Sequence, residues 1–231
     1  MLPFFKAKSY TSESNTFNYW LYSPANATEN MPLIVYLHGG SGKGDDLELI
    51  TAVDGFPQYL RDGRISPDAY VIIPQVPSSY RGWGEMKGCV MELISAVAEE
   101  YKIDENRISL TGHSMGGTGV WMLALAYPDV FSAVAPLSGS VTLSDANLKK
   151  LSNLPILAVV GSEDTVVDPQ SSKDFIAKLS LVNENSSIIE LDGADHFEVP
   201  SLSFLSSKFD LIGWLISQSK ADQGEIAFCQ T

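Results

Sequence analysis

The chain is short of cysteine, of positive charge and of histidine, and each shortage narrows what it can do. Its two cysteines, Cys89 and Cys229, show neither C-x-x-C nor any other metal-ligand spacing, so no metal site is expected. Cys89 falls in a helix-like run and reads as a small buried hydrophobe. Cys229 sits in a polar tail, and no motif supports a disulfide between the two. Fifteen Lys and Arg stand against 28 Asp and Glu, a formal net charge of −13. Such a surface repels nucleic acid and anionic membranes and favours solubility. No run reaches the roughly 18 apolar residues that a membrane helix needs. The opening Met1-Leu2-Pro3-Phe4-Phe5-Lys6 has no basic stretch followed by an apolar one, as a signal peptide would. The protein is therefore expected to be cytoplasmic, or secreted or periplasmic if a signal has been removed. Internal repeats and low-complexity tracts are lacking too.

What is there suits one α/β domain. Hydrophobic residues make up 45% of the 231, enough for a sizeable core. A single domain spanning 1–231 is expected, with its core at about 17–219 and 220–231 as a flexible tail. Strands are predicted at Phe17 to Tyr22, Pro32 to Leu37, Ala69 to Ile73, Ile108 to Leu110, Ala133 to Leu137, Pro155 to Val160 and Ser187 to Leu191. Several are continuous apolar runs, as strands buried on both faces should be. Helices are predicted at Gly88 to Tyr101, Val120 to Tyr127, Ser171 to Leu181 and Phe204 to Ile216, with a mixed helical and loop stretch over Leu47 to Leu60. A parallel sheet flanked by helices follows.

The most informative stretch is Ser109-Leu110-Thr111-Gly112-His113-Ser114-Met115-Gly116-Gly117. An apolar run enters G-x-S-x-G and a helix-like run leaves it, so Ser114 stands at a sharp strand-to-helix turn. Side chains two residues either side of that apex are expected to collide with the incoming strand and outgoing helix, and Gly112 and Gly116 have none. Gly117 and Gly119 are expected to let the helix lie close to the sheet. Three further segments leave strands in the same direction. They are His38-Gly39-Gly40-Ser41-Gly42, Gly161-Ser162-Glu163-Asp164-Thr165-Val166-Val167 and Asp192-Gly193-Ala194-Asp195-His196-Phe197.

Together these segments, from about Phe17 to Leu215, resemble the α/β-hydrolases. The closer resemblance is to the dienelactone-hydrolase, carboxylesterase and "predicted peptidase" branch, which includes feruloyl-esterase-like enzymes. The order Ser114, Asp164, His196 is the serine–acid–histidine order of that fold. The resemblance implies Ser114 as nucleophile, His196 as general base and acid, and Asp164 as the carboxylate that orients the imidazole. Glu163 and Asp168 are the alternative acids; Asp195, adjacent to His196, is a weaker one. The backbone N–H groups of Gly40 and Met115 would form the oxyanion hole, with Ser41 able to replace Gly40. Of the other two histidines, His38 is expected to brace the oxyanion loop, and His113 is the variable residue of the elbow. The pattern Pro74-Gln75 followed by Trp83-Gly84 also resembles this branch. Trp83 would either line the substrate pocket, in the loop from Val76 to Gly88, or pack that loop onto the body. Ser138 to Leu154 is too short for a cap domain, which implies an open site.

The function implied is hydrolysis of carboxylic esters through an acyl-enzyme, with no cofactor. The expected substrate is a small or carbohydrate-linked ester with a short or aromatic acyl group. Serine in place of the dienelactone hydrolases' cysteine argues for ordinary esters. A serine peptidase or a thioesterase is the alternative, and a non-catalytic binding module on the same scaffold a remote one. Nothing bears on oligomeric state.

Overall fold

Runs of apolar residues with no polar alternation become the inner strands, because a strand covered by helices on both faces has no wet side. The computed structural model describes residues 4–12 and 15–221; Cys229 and nearly all of the expected tail lie outside them. In chain order the elements are β1 (Phe4–Thr11), β2 (Thr16–Ser23), β3 (Leu33–Leu37), α1 (Glu48–Thr51), α2 (Phe56–Arg61), β4 (Tyr70–Pro74), α3 (Trp83–Tyr101), β5 (Ile108–His113) and α4 (Met115–Ala126). They continue with β6 (Ala133–Leu137), α5 (Asp145–Lys150), β7 (Ile156–Gly161), α6 (Gln170–Leu179), β8 (Ser186–Leu191), α7 (Val199–Phe204) and α8 (Leu211–Ser217).

The eight strands form one sheet in the order β1-β2-β4-β3-β5-β6-β7-β8. The β1–β2 and β2–β4 pairs are antiparallel and all the others parallel. Every residue of β3, β4 and β6 is buried. Alternate side chains of one strand enter opposite layers: Leu33, Val35 and Leu37 pack with α3, α4 and α6, while Ile34 and Tyr36 pack with α1, α2, α7 and α8. Because β3, β5, β6, β7 and β8 run parallel, the segments leaving them meet along one edge of the sheet, where open α/β sheets place their sites. Between β6 and β7 the chain forms only α5 and its loops. No helix among the described residues is long and apolar enough to cross a membrane.

Four elements depart from the sequence reading; one is α4, which begins at Met115, directly after Ser114 and five residues before the predicted start at Val120. Strand β1 was not foreseen, because Phe4 to Thr11 carries no clean alternation. It is an edge strand, mostly exposed, and its Lys6 and Lys8 suit an edge that must not recruit another chain. Helix α3 begins at Trp83, five residues before the predicted start at Gly88. Glycines at 82, 84 and 88 depress local helix propensity, but burial of Trp83 and Met86 and a Glu85 carboxylate accepting the Arg81 N–H at 2.9 Å carry the helix through them. The predicted helix Phe204 to Ile216 is two, α7 and α8. The Asp210 side chain accepts the Gly213 N–H at 2.8 Å and caps a new helix there.

Candidate active site

The elbow is built by close approach of backbones. A Cβ on Gly116 would lie 1.8 Å from the carbonyl oxygen of Leu37, and one on Gly112 2.5 Å from the same atom. The space is therefore kept mainly for the end of the adjacent strand β3, rather than for the elbow's own strand and helix. Gly119 differs from expectation as well: its missing Cβ makes room for the Trp83 ring, at 2.7 Å, so it admits α3 and not the sheet. Ser114 sits at φ 61° and ψ −120°, a region costly for a residue with a side chain, about 1–3 kcal/mol. It is held there by its N–H donating to the Leu137 carbonyl at 3.0 Å.

That turn aims the Ser114 hydroxyl at His196, with Oγ 2.8 Å from Nε2. On the other side of the ring, Nδ1 lies 2.7 Å from Asp164 Oδ2. A carboxylate only accepts, so Nδ1 carries the proton and Nε2 presents its lone pair to the serine. His196 and Asp164 are buried, 3% and 6% exposed. Burial pushes the Asp164 carboxyl up, but the amides of Val167 and Val166, the imidazole and the nearby Ser138 hydroxyl outweigh it and hold the group below the ordinary carboxylate range. The two amides each donate to Oδ1 at 2.9 Å. They and the imidazole carry the effect, since the Ser138 oxygen finds no partner of hydrogen-bond geometry among the described residues. The alternative acids are placed elsewhere. Glu163 is exposed, Asp168 accepts the Gln170 N–H at 2.9 Å, and Asp195 accepts the N–H groups of Phe197 and Glu198.

Gly40 opens a single turn of 3-10 helix, Gly40–Gly42, and Met115 opens α4. Amides at the first position of a helix have no carbonyl one turn back to bond, so both are available to a ligand atom. The turn adjoins the nucleophile: a Cβ on Gly39 would lie 3.5 Å from Ser114 Cβ. Ser41 is exposed and lines, with Tyr36, Ile50, Asp54, Pro57 and His113, a recess of about 40 Å³. A larger groove of about 650 Å³, lined by Met91, Ile94, Lys102, Glu105 and Lys220 among others, lies at the amino ends of the strands, away from this edge. Among the described residues no three His, Cys, Asp or Glu are grouped to hold a metal ion.

Trp83 does not line a cleft. It is 2% exposed, its Nε1–H donates to the His38 carbonyl at 3.1 Å, and its ring packs edge-on to His38 at 4.9 Å. A large apolar ring next to a strand end is better hidden than wet, so it packs the start of α3 onto the body. His38 itself is neutral: Nδ1 donates to the Gly39 carbonyl at 2.7 Å, and Nε2 accepts the Val76 N–H at 3.0 Å. Burial lowers its pKa to about 4, against the contrary pull of the Gly39 carbonyl.

His113 is more than a spacer in the elbow. Its Nε2 lies 2.9 Å from the carbonyl oxygen of His196 and can only donate to it. Its ring lies against the His196 ring, 4.6 Å between centroids. Burial, then the neighbouring imidazole, lower its pKa to about 4. Spacing alone could not reveal this bond, which joins residues 83 positions apart.

Known proteins share this arrangement of elements. A thermostable esterase superposes with a TM-score of 0.78 over 94% of this chain and 63% of its own, at 24% identity. A feruloyl esterase module from Clostridium thermocellum, complexed with sinapinate, gives 0.68 over 85% of this chain and 83% of its own, at 15% identity. The fold is that of the α/β-hydrolases. In sequence, the bifunctional acetylxylan esterase/xylanase XynS20E of Neocallimastix patriciarum is 25% identical over 167 residues, 68% of this chain and 22% of that protein. The cutinase est2 of Thermobifida alba is 29% identical over 115 residues, 49% of this chain and 36% of its own length. The chain thus spans well under half the length of these two relatives. Residues 16–198 match the model of the Esterase family, and the chain belongs to that family.

Proposed function

We propose that this protein hydrolyses carboxylic esters through an acyl-enzyme on Ser114. The observation that carries the reading is the continuous chain from Ser114 Oγ through His196 to Asp164, at 2.8 and 2.7 Å. Ser114 Oγ attacks the ester carbonyl carbon while its proton passes to His196 Nε2. The carbonyl oxygen takes up the electron pair and is held by the N–H groups of Gly40 and Met115, each such donor typically contributing about 100- to 1,000-fold in turnover. His196 then protonates the departing alkoxide, leaving the acyl group on Ser114. Water follows the same path: His196 takes its proton, the hydroxide adds to the acyl carbon, and Ser114 leaves with the proton returned. Throughout, ionised Asp164 keeps the Nδ1–H tautomer and stabilises the transient imidazolium.

An ester with a short or aromatic acyl group, free or carried on a carbohydrate, suits the site best. Family membership and the esterase names of the relatives support it. So does the apolar rim. Phe197 is 70% exposed and Val166 59%; each adjoins a triad residue, with the Phe197 ring perpendicular to His196 at 5.3 Å. Between β6 and β7 the chain forms only α5 and its loops, which leaves no cap-sized insertion there.

The test is a set of initial rates on p-nitrophenyl acetate, butyrate and octanoate, methyl ferulate, a peptide p-nitroanilide and an acyl thioester. The reading expects turnover of acetate or ferulate esters well above the anilide and the thioester. Preference for the anilide would make the protein a peptidase, preference for the thioester a thioesterase, and no turnover or covalent labelling at all a binding module.

A further inference from the structure

We infer that Gln75 is a positioning residue for the oxyanion hole, an inference that rests on the esterase reading above. It is the residue directly after β4, and 1% exposed. Its Nε2 lies 2.9 Å from the Gly42 carbonyl oxygen and 2.6 Å from the Asp46 carbonyl oxygen. Both partners only accept, so the atom facing them is the NH₂ group, and both of its hydrogens are used. One side chain thereby ties the two ends of the segment that follows β3. One end is the 3-10 turn that carries the Gly40 amide; the other is the run into α1.

The neighbouring backbone completes a clamp. The Val76 N–H donates to His38 Nε2 at 3.0 Å, and the Val76 carbonyl accepts the Gly44 N–H at 3.0 Å. Gln75 is itself held in line, its N–H donating to the Asn18 carbonyl at 2.9 Å. Residues 38–46 therefore hang on the end of β4, not on the strand they leave. The turn has no strand partner of its own. A loop so placed keeps its shape only if something rigid fixes it, and oxyanion donors lose their effect when displaced by about 1 Å.

The amide is kept for its NH₂ group. Gln75 Oε1 is buried without a partner among the described residues, whereas an apolar side chain of similar length would leave the Gly42 and Asp46 carbonyls without their donor. The gain is the placement of Gly42 and Asp46, hence of Gly40, which opens the same turn beside the nucleophile.

The test uses Gln75→Met, which fills the volume without donors, and Gln75→Glu, which keeps the shape but opposes two carbonyls. Both are assayed on p-nitrophenyl acetate, against a trifluoromethyl ketone that binds Ser114 as a tetrahedral oxyanion, and by timed trypsin cleavage at Lys43 inside the segment. The inference expects kcat to fall about 10- to 100-fold with KM within about 3-fold. It also expects ketone affinity to fall by a similar factor, and faster cleavage at Lys43. Unchanged kcat and ketone affinity in a folded variant would overturn it. So would failure of both variants to fold, since Gln75 would then be a residue of the fold as a whole. A wild type inert on the ester and blind to the ketone would instead remove the esterase reading on which the inference stands.

Discussion

His113 Nε2 donates to the backbone carbonyl of His196 at 2.9 Å, so the residue immediately before the proposed nucleophile holds the loop that carries its base. The elbow and the base loop are thereby a single hydrogen-bonded unit, and the 2.8 Å contact between Ser114 and His196 does not depend on the triad alone. His113→Phe keeps a flat ring and removes the donor. We expect kcat for p-nitrophenyl acetate to fall up to about 10-fold, the usual worth of one hydrogen bond, with little change in KM. In His113→Gln the amide nitrogen reaches the Nε2 position and should restore most of the rate. Equal losses in both variants would mean that packing against His196, not the bond, is what matters.

The choice of Asp164 among neighbouring carboxylates makes a sharp prediction. Asp164→Asn keeps the shape but can present an NH₂ to His196 and favour the wrong tautomer, and kcat should drop by about 1,000- to 10,000-fold. Glu163→Gln and Asp168→Asn should stay within about 2-fold of wild type, since neither side chain meets the imidazole. Steady-state rates on a single ester for the three variants decide it. A loss in Asp168→Asn comparable to that in Asp164→Asn would displace the assignment.

Gly116→Ala should be a folding mutation before it is an activity mutation. The added methyl would sit 1.8 Å from the Leu37 carbonyl oxygen, backbone that no side-chain rotation can move. Strand β3 and α4 would have to separate, costing about 3 kcal/mol or more. Thermal unfolding should show a large drop in Tm or insoluble protein, whereas Gly88→Ala, with open space around it, should be neutral or stabilising. A Gly116→Ala protein with wild-type Tm would show that the elbow has room that this structure denies it.

Stability should fall as the medium is acidified from pH 7 toward 5. His38 and His113 are both lowered to about 4 by burial, below the roughly 6.5 of an unfolded histidine. Between those values the unfolded chain takes up protons that the folded one refuses, so their contribution is full above about pH 6.5 and is lost as pH drops through the window. Asp164, also lowered, acts in the same sense further down: its contribution is present above about pH 4 and lost as pH falls through its folded value. Urea midpoints at pH 7, 6 and 5 should decline, and His38→Asn should flatten the decline relative to its own value at pH 7. A midpoint constant from 7 to 5 in wild type would mean that neither ring is held neutral by burial.

Much of this architecture was legible in the order of residues. The runs Pro32 to Leu37 and Ala133 to Leu137 could only be strands hidden on both faces, and G-x-S-x-G between a strand and a helix placed Ser114. What escaped were features set by tertiary contact. Trp83 sat among glycines that argued for a loop, and only the His38 carbonyl and the gap at Gly119 explain its burial as the start of α3. Strand β1 has no pattern of its own because it is an edge, wet on most sides, and pairing with β2 alone defines it. The bonds of His113 to His196 and of Gln75 to Gly42 span 83 and 33 positions. They link polar side chains to main-chain carbonyls, which carry no residue identity that a sequence could signal.

The most direct test is to treat the protein with a fluorophosphonate and read the mass of the adduct by residue, with Ser114→Ala alongside. The proposed chemistry predicts one adduct per chain, located on Ser114. It also predicts none in Ser114→Ala, whose ester hydrolysis falls at least about 1,000-fold. Labelling at another residue, or ester turnover that survives in Ser114→Ala, would contradict it.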